Sequence, residues 1–210
     1  MLSTYFTVKN FVEHEIIIQK SRFIAHVLRV TSEEEAQAFI ASIKKDHWNA
    51  THNCSCYMIG EHDLIQKAND DGEPSGTAGV PMLDVLKKQR LKDTAVVVTR
   101  YFGGIKLGAG GLIRAYSQAT SEGIRAAGIV KRNLMTIYKV TVDYTLLGKV
   151  ENETRASSYI LRDSEYMEQV TLWIYVNAKE EANFEAWMTD LTHGKAHIKR
   201  EGCAYVEEDV

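Results

Sequence analysis

The stretch from Thr94 to Arg114, TAVVVTRYFGGIKLGAGGLIR, limits the folds open to this chain more than any other. Residues 95–98, Ala-Val-Val-Val, form a short apolar, largely β-branched run of the length of an inner strand. Five of the nine residues from Gly103 to Gly111 are glycine, and from Leu112 a helical pattern runs through Ala115, Ala119, Ile124 and Ala127 to a stop at Gly128. A strand that passes through a glycine-rich turn into a helix sets the helix N-terminus against that turn, with its unpaired N–H groups and positive dipole end. With Arg100, Lys106 and Arg114 added, residues Gly103, Gly104, Gly108, Gly110 and Gly111 read as a cradle for phosphate or nucleic-acid backbone. The same glycines serve equally to permit positive φ and close packing of strand on helix. Two sharper phosphate motifs are excluded. GxxxxG fits from Gly103 to Gly108, but Ala109-Gly110 stands where a P-loop needs Lys-Ser/Thr; Gly108 and Gly110 begin GxGxxG, but Ile113 takes the place of its third glycine.

Charge is segregated along the chain. Residues 87–132 hold ten Lys/Arg and two Asp/Glu, although the whole chain has a net charge of −3. Lys87, Lys88, Arg90 and Lys92 precede the central strand, and Arg125, Lys131 and Arg132 follow the helix. This is a local positive potential, or a solvated surface whose cations pair with acids elsewhere in the fold. At 210 residues, 45% hydrophobic and 25% charged, the chain suits one large or two small domains. MLSTYFTVKN carries no leader-like pattern, and no apolar run reaches the length of a membrane span. Three cysteines suit a reducing compartment, so a cytoplasmic protein without membrane contact is expected.

Upstream, EIIIQKSRFIAHVLRV breaks at Gln19-Lys20-Ser21 and predicts a hairpin. Ser32 followed by Glu33, Glu34 and Glu35 predicts a helix start, continued by the apolar face of Ala36, Phe39, Ile40 and Ile43. A strand from Cys54 to Ile59 follows. Cys54 and Cys56 share a face near His47 and His52, but Cys-x-Cys lacks zinc-knuckle spacing, so the cysteines read as packing residues and no metal is assigned. The loop ANDDGEPSG (68–76) carries Asp70, Asp71 and Glu73, which suit Mg²⁺ beside a phosphate cradle or, as turn formers, cap the next helix through Glu73 or Ser75. From Leu134 the pattern becomes strand, helix, strand, strand, helix, strand, a ferredoxin-like βαββαβ order. Its second helix is marked by Phe184, Trp187, Met188 and Leu191, and Trp173 and Tyr175 should lie on the face of its sheet without helices. The expected fold class is thus α+β in two domains, 1–132 and 133–210.

DDGEPSGTAGVPMLDVL followed by VVVTRYFGGIKLGAGGLIRAYSQA resembles the IMPACT/YigZ family. The shared elements are Gly79, Met82-Leu83, Val97-Val98, Arg100-Tyr101-Phe102-Gly103-Gly104 and Leu107-Gly108. The resemblance covers about residues 1–130, and the tail is similar to the extra C-terminal domain of the family's bacterial branch. It implies that the first domain folds like the second domain of small-subunit ribosomal protein five, a fold shared with a domain of elongation factor G and with small-molecule kinases. The tail would resemble another, ferredoxin-like domain of elongation factor G. In eukaryotes the family name belongs to a translational regulator that restrains the starvation-responsive initiation-factor kinase, partly through a different extra domain that these 210 residues do not contain. Three functions follow. The first is a translation-related module that binds RNA backbone or a ribosome-associated partner through Arg100, Lys106, Arg114 and the glycine loop. The second is a regulator that works only through contacts with a protein partner, by way of Trp173, Tyr175 and the acidic tail. The third is an enzyme that binds a small phosphorylated ligand with Mg²⁺ at Asp70, Asp71 or Glu73. No catalytic residue, resident cofactor or metal is assigned, because no nucleophile with its base and no phosphoryl-transfer motif is present.

Overall fold

The computed structural model describes residues 1–210. In chain order they form β1 (Thr4–Val8), β2 (Val12–Ile18), β3 (Ser21–Arg29), α1 (Glu33–Asp46), β4 (His52–Ile59), β5 (Ile65–Asn69), α2 (Gly79–Lys88), β6 (Thr94–Tyr101), α3 (Gly108–Ala127), β7 (Ile129–Val142), α4 (Tyr144–Ala156), β8 (Ile160–Tyr166), β9 (Val170–Asn177), α5 (Glu181–Leu191) and β10 (His197–Asp209). The fold is α+β in two compact units. Tyr5–Lys131 and Glu208–Val210 make the N-terminal unit, and Arg132–Glu207 with Met1–Thr4 make the C-terminal one. Each unit takes in a chain end: Leu134 N–H donates to the Ser3 carbonyl in the C-terminal unit, and Lys9 Nζ meets Asp209 Oδ1 at 2.6 Å in the N-terminal unit.

The N-terminal sheet has the order β2-β3-β6-β4-β5, antiparallel throughout. Gln19 and Lys20, both at positive φ (45° and 66°), make the two-residue turn of the β2–β3 hairpin, a backbone twist that suits tight hairpins. The Ala-Val-Val-Val run forms the fully buried middle of β6. Its alternate residues serve two cores. Val96 and Val98 join Phe23, Val27, Cys54, Cys56, Met82, Leu86 and Tyr116 under α2 and α3. Ala95 and Val97 join Tyr57, Ile59, Phe39 and Ile43 under α1. Ser32 Oγ accepts from Glu35 N–H at 3.2 Å, the cap expected of the Ser-Glu-Glu-Glu start. Gly123 lets α3 lie directly on β3, since a Cβ there would stand 2.7 Å from that of Ala25. Cys54 and Cys56 are buried and free, and burial drives the Cys54 thiol up to about 12 and that of Cys56 higher still.

The C-terminal unit has the βαββαβ order, with β7 between β10 and β9 and β8 outside β9. Val170, Leu172, Ile174 and Val176 are buried with Phe184 and Met188, while Trp173 and Tyr175 alternate onto the other face. No helix of the chain is long and apolar enough to cross a membrane.

Several elements depart from the sequence pattern. β1 and β5 are not foreseen; β5, Ile-Gln-Lys-Ala-Asn, is an edge strand largely open to solvent and so has no apolar alternation to read. α3 begins at Gly108 rather than near Leu112, because Gly108, Gly110 and Gly111 have no side chains through which a helical period could register.

Candidate functional site

The end of β6, the loop 102–107 and the first turn of α3 form one wall of a cleft of about 360 Å³, and Thr51, His52, Glu73 and Pro74 form the other. The carboxylate loop and the glycine loop therefore meet in space. Each carboxylate of the first loop has a specific partner. Asp70 accepts from the N–H groups of Gly76 (2.8 Å), Ala78 (3.1 Å) and Gly79 (2.8 Å), so it is Asp70, and not Glu73 or Ser75, that satisfies the start of α2. Burial works against its charge, but those N–H donors outweigh it and hold the carboxyl below the usual carboxylate range. Asp71 is likewise held low despite burial, by Lys44 Nζ at 2.5 Å and Asn53 N–H at 2.6 Å.

Glu73 is buried inside the unit. Its Oε1 accepts from Arg100 Nη1 at 2.6 Å and from the Tyr116 hydroxyl at 2.8 Å, and its Oε2 lies 3.8 Å from His52 Nε2. Burial, with Cys54 and Glu73 adding their share, pushes the Tyr116 hydroxyl far up, so it remains a donor to Glu73 at any ordinary pH. Arg100 is buried, 5% exposed as a residue, and its guanidinium carbon lies 5.3 Å from the centroid of the Phe23 ring and 5.4 Å from that of the Phe102 ring. A planar, always-charged group held between two rings and a carboxylate is a rigid part of the cleft wall. Its Nη2 donates to Ser21 Oγ at 3.4 Å, while Nε is buried and has no partner.

The loop glycines divide by what surrounds them. A Cβ on Gly103 would run into the carbonyl group of Lys20 and the amide nitrogen of Ser21, so only glycine lets β6 pass over the hairpin turn. That approach is sealed by Gly103 N–H donating to Ser21 Oγ at 3.1 Å. Gly104 (φ +86°) and Gly108 (φ +70°) have open space around them and are required by backbone conformation alone.

Gly108, Gly110 and Gly111 lie in the first turn of α3, whose N-cap position, Leu107, makes no side-chain cap and whose first turn holds no acid. The first amides of a 20-residue helix are thus left for a ligand or water. Lys106 and Arg114 are exposed, and neither enters an ion pair. Arg114 Nη1 would be 3.7 Å from a Cβ on Gly110, which sets the guanidinium alongside the helix start. Phe102, 47% exposed, and Ile105, 41%, complete an apolar rim. Of the other cations of the basic segment, Lys92 pairs with Asp63, Arg100 with Glu73, Arg125 with Glu122, Lys131 with Glu208 and Arg132 with Glu207, while Lys87, Lys88 and Arg90 are exposed and enter no ion pair but do not line the cleft.

The sequence pattern did not place Ser21, Thr51, His52, Phe102 or Tyr116 at this cleft. Tyr116 does fall on the apolar stripe of α3, where a hydroxyl needs a buried partner, and that was its one signal.

Residues 19–124 match the model of the Impact N-terminal domain, and residues 140–195 match a domain of unknown function, DUF1949. The chain is 63% identical over 210 residues to IMPACT family member YvyE of Bacillus subtilis, spanning 100% of this chain and 97% of that protein. It is 33% identical over 183 residues to IMPACT family member YigZ of Escherichia coli, spanning 86% and 90%. Protein IMPACT of Mus musculus is 36% identical over 95 residues, 43% of this chain and 29% of the mouse protein. A solved structure described as a hypothetical protein superposes with a TM-score of 0.61 at 30% identity, spanning 94% of this chain and 97% of its own.

Proposed function

The chain belongs to the IMPACT family, and from that membership we propose that it is a translation-linked regulator whose N-terminal unit binds RNA backbone at the cleft beside α3. The observation that carries this reading is the cluster at the cleft mouth: the uncapped start of α3, the unpaired cations Lys106 and Arg114, and the half-exposed ring of Phe102. Phosphate oxygens accept from the first-turn amides and from the two cations, and an unstacked base lies on the ring. Arg100 acts from inside the wall, where its charge is held by Glu73 and its Nε is buried. Asp70, Asp71 and Glu73 are all engaged by protein donors, which weighs against the reading as a Mg²⁺-dependent enzyme.

The test is binding of the purified protein to total cellular RNA and to ribosomes over a salt series, for wild type and for a Lys106→Ala, Arg114→Ala variant. Single-stranded binding that uses both cations loses about 1.4 from its log-log salt slope when they are removed. Equal salt dependence of the two proteins would refute the assignment.

The helix-free face of the C-terminal sheet favours a second reading, regulation through a protein partner. Lys139 Nζ lies 5.9 Å from the Trp173 ring centroid and Arg162 Cζ 5.9 Å from that of Tyr175, around a recess of about 520 Å³ that also includes Asp163 and Glu201. On that reading Trp173→Ala abolishes function and the Lys106→Ala, Arg114→Ala variant retains it.

A further inference from the structure

On the face of the N-terminal sheet covered by α1, three side chains converge that the cleft does not use. Glu13 and His26 are directly opposite on the paired strands β2 and β3, so both project to the same face. His47 ends α1, and its ring lies 5.0 Å from that of His26. One ligand-type atom from each of the three lies within 4.8 Å of the others.

The state of His26 follows from its neighbours. Asn53 Nδ2 donates to the His47 carbonyl at 3.3 Å, which turns Asn53 Oδ1 toward the Thr99 hydroxyl, its donor at 2.7 Å. With its single proton committed there, Thr99 Oγ1 accepts from His26 Nε2 at 3.3 Å, so the imidazole hydrogen sits on Nε2. Nδ1 is left with a bare lone pair. It is buried without a hydrogen-bond partner, in a residue 1% exposed, and it faces Glu13 Oε2 at 3.6 Å.

Two acceptors thus face one another with no hydrogen between them. A cation placed between the two would satisfy both. His47 is oriented in its turn: Nδ1 lies 2.9 Å from the Tyr101 hydroxyl, which leaves Nε2 for a ligand.

We propose that Glu13, His26 and His47 form a binding site for a divalent transition-metal cation of the zinc class. Two imidazole nitrogens and one carboxylate suit a borderline-soft ion, and the hydrogen bonds of Thr99 and Tyr101 to the far sides of the rings are the outer contacts that orient histidine ligands. Glu13 closes the set, because its side chain is 57% exposed and free to adjust to ligand bonds of about 2.0–2.2 Å. The bound ion ties the C-terminal end of α1 to the β2–β3 hairpin and keeps a water-filled position on the open side.

The experiment uses the full chain, stripped with a chelator, then titrated with Co²⁺ by visible absorption and with Zn²⁺ by calorimetry. Wild type is expected to bind one ion, and Glu13→Gln and His47→Ala, both at surface-accessible positions, each weaken binding by at least about 100-fold, the upper range for loss of an outer contact. Zn²⁺ should raise the melting temperature of wild type and not of the two variants. A Cys203→Ser variant, which removes the one exposed thiol, should bind as wild type does. The proposal is overturned if wild type binds no ion at micromolar concentrations, if Glu13→Gln and His47→Ala bind equally well, or if Cys203→Ser abolishes binding.

Discussion

Replacing Arg100 by alanine should act first on stability, although the residue sits in the most basic part of the sequence. Its guanidinium and the Glu73 carboxylate have side chains only 6% and 3% exposed, and their closest atoms are 2.6 Å apart. Removing the cation leaves a buried carboxylate with the Tyr116 hydroxyl as its one close donor and His52 at 3.8 Å. Breaking a buried pair in this way costs about 3–5 kcal/mol, and loss of the contacts with Phe23 and Phe102 adds about 0.5–1 kcal/mol for each ring. Against a typical domain stability of about 5–15 kcal/mol this is a large fraction, and it corresponds to a fall on the order of 10 °C in melting temperature. Differential scanning calorimetry and urea unfolding followed by far-ultraviolet circular dichroism read it directly. A double-mutant cycle with Glu73→Ala isolates the pair, because the double variant no longer strands a charge and should cost at least about 2 kcal/mol less than the two single changes together. Arg100→Ala that melts with wild type and loses only RNA affinity would refute the reasoning, since the guanidinium would then be serving a ligand and not the wall.

Gly103→Ala should destabilise far more than Gly104→Ala in the same unfolding assay: the first drives a methyl into the Lys20 carbonyl, whereas the second meets open space and costs only the roughly 1–2 kcal/mol of a left-handed backbone. Asp70→Ala removes the acceptor of three backbone N–H groups at the start of α2 and should cost about 1–2 kcal/mol, a loss that Asp70→Asn partly restores. In metal-free protein, His26 has a folded pKa near 4 against an ordinary 6.5, so the unfolded chain binds more protons between those values. Its contribution is complete above pH 6.5 and is lost as pH falls toward 4. Urea unfolding should therefore show a drop of roughly 1 kcal/mol from pH 7 to 5.5 that is absent in His26→Gln.

What a linear reading recovers here depends on whether the signal is periodic. The four-residue stripe of α5, the alternation of β9 and the hairpin break at Gln19-Lys20 are all patterns within one element, and each corresponds to an observed element. The polar wall of the cleft is not periodic. Glu73 meets Arg100 across 27 positions and Arg100 meets Ser21 across 79, and neither separation leaves a mark in composition. The capping role passed to Asp70 for the same reason: its carboxylate spans from the loop's beginning to Gly79, a reach set by the turn at Asp71-Gly72, where both residues have positive φ.

Charge is where the linear reading overstates the molecule most. Ten Lys/Arg in residues 87–132 suggest a broad basic surface. Folding draws Arg100 into the wall and sets Lys92, Arg125 and Lys131 against Asp63, Glu122 and Glu208. Beside the open start of α3 only Lys106 and Arg114 remain unpaired. The distinction is quantitative, because ten cations on a single-stranded phosphate chain imply a log-log salt slope of about −7, whereas the two at the cleft imply about −1.4, the exposed and unpaired Lys87, Lys88 and Arg90 lying outside it. A regulator with the shallow slope would bind RNA weakly through charge and depend for selectivity on the Phe102 ring and the shape of the cleft, so Phe102→Ala should reduce affinity at high salt and low salt by the same factor, about 1–3 kcal/mol of base stacking.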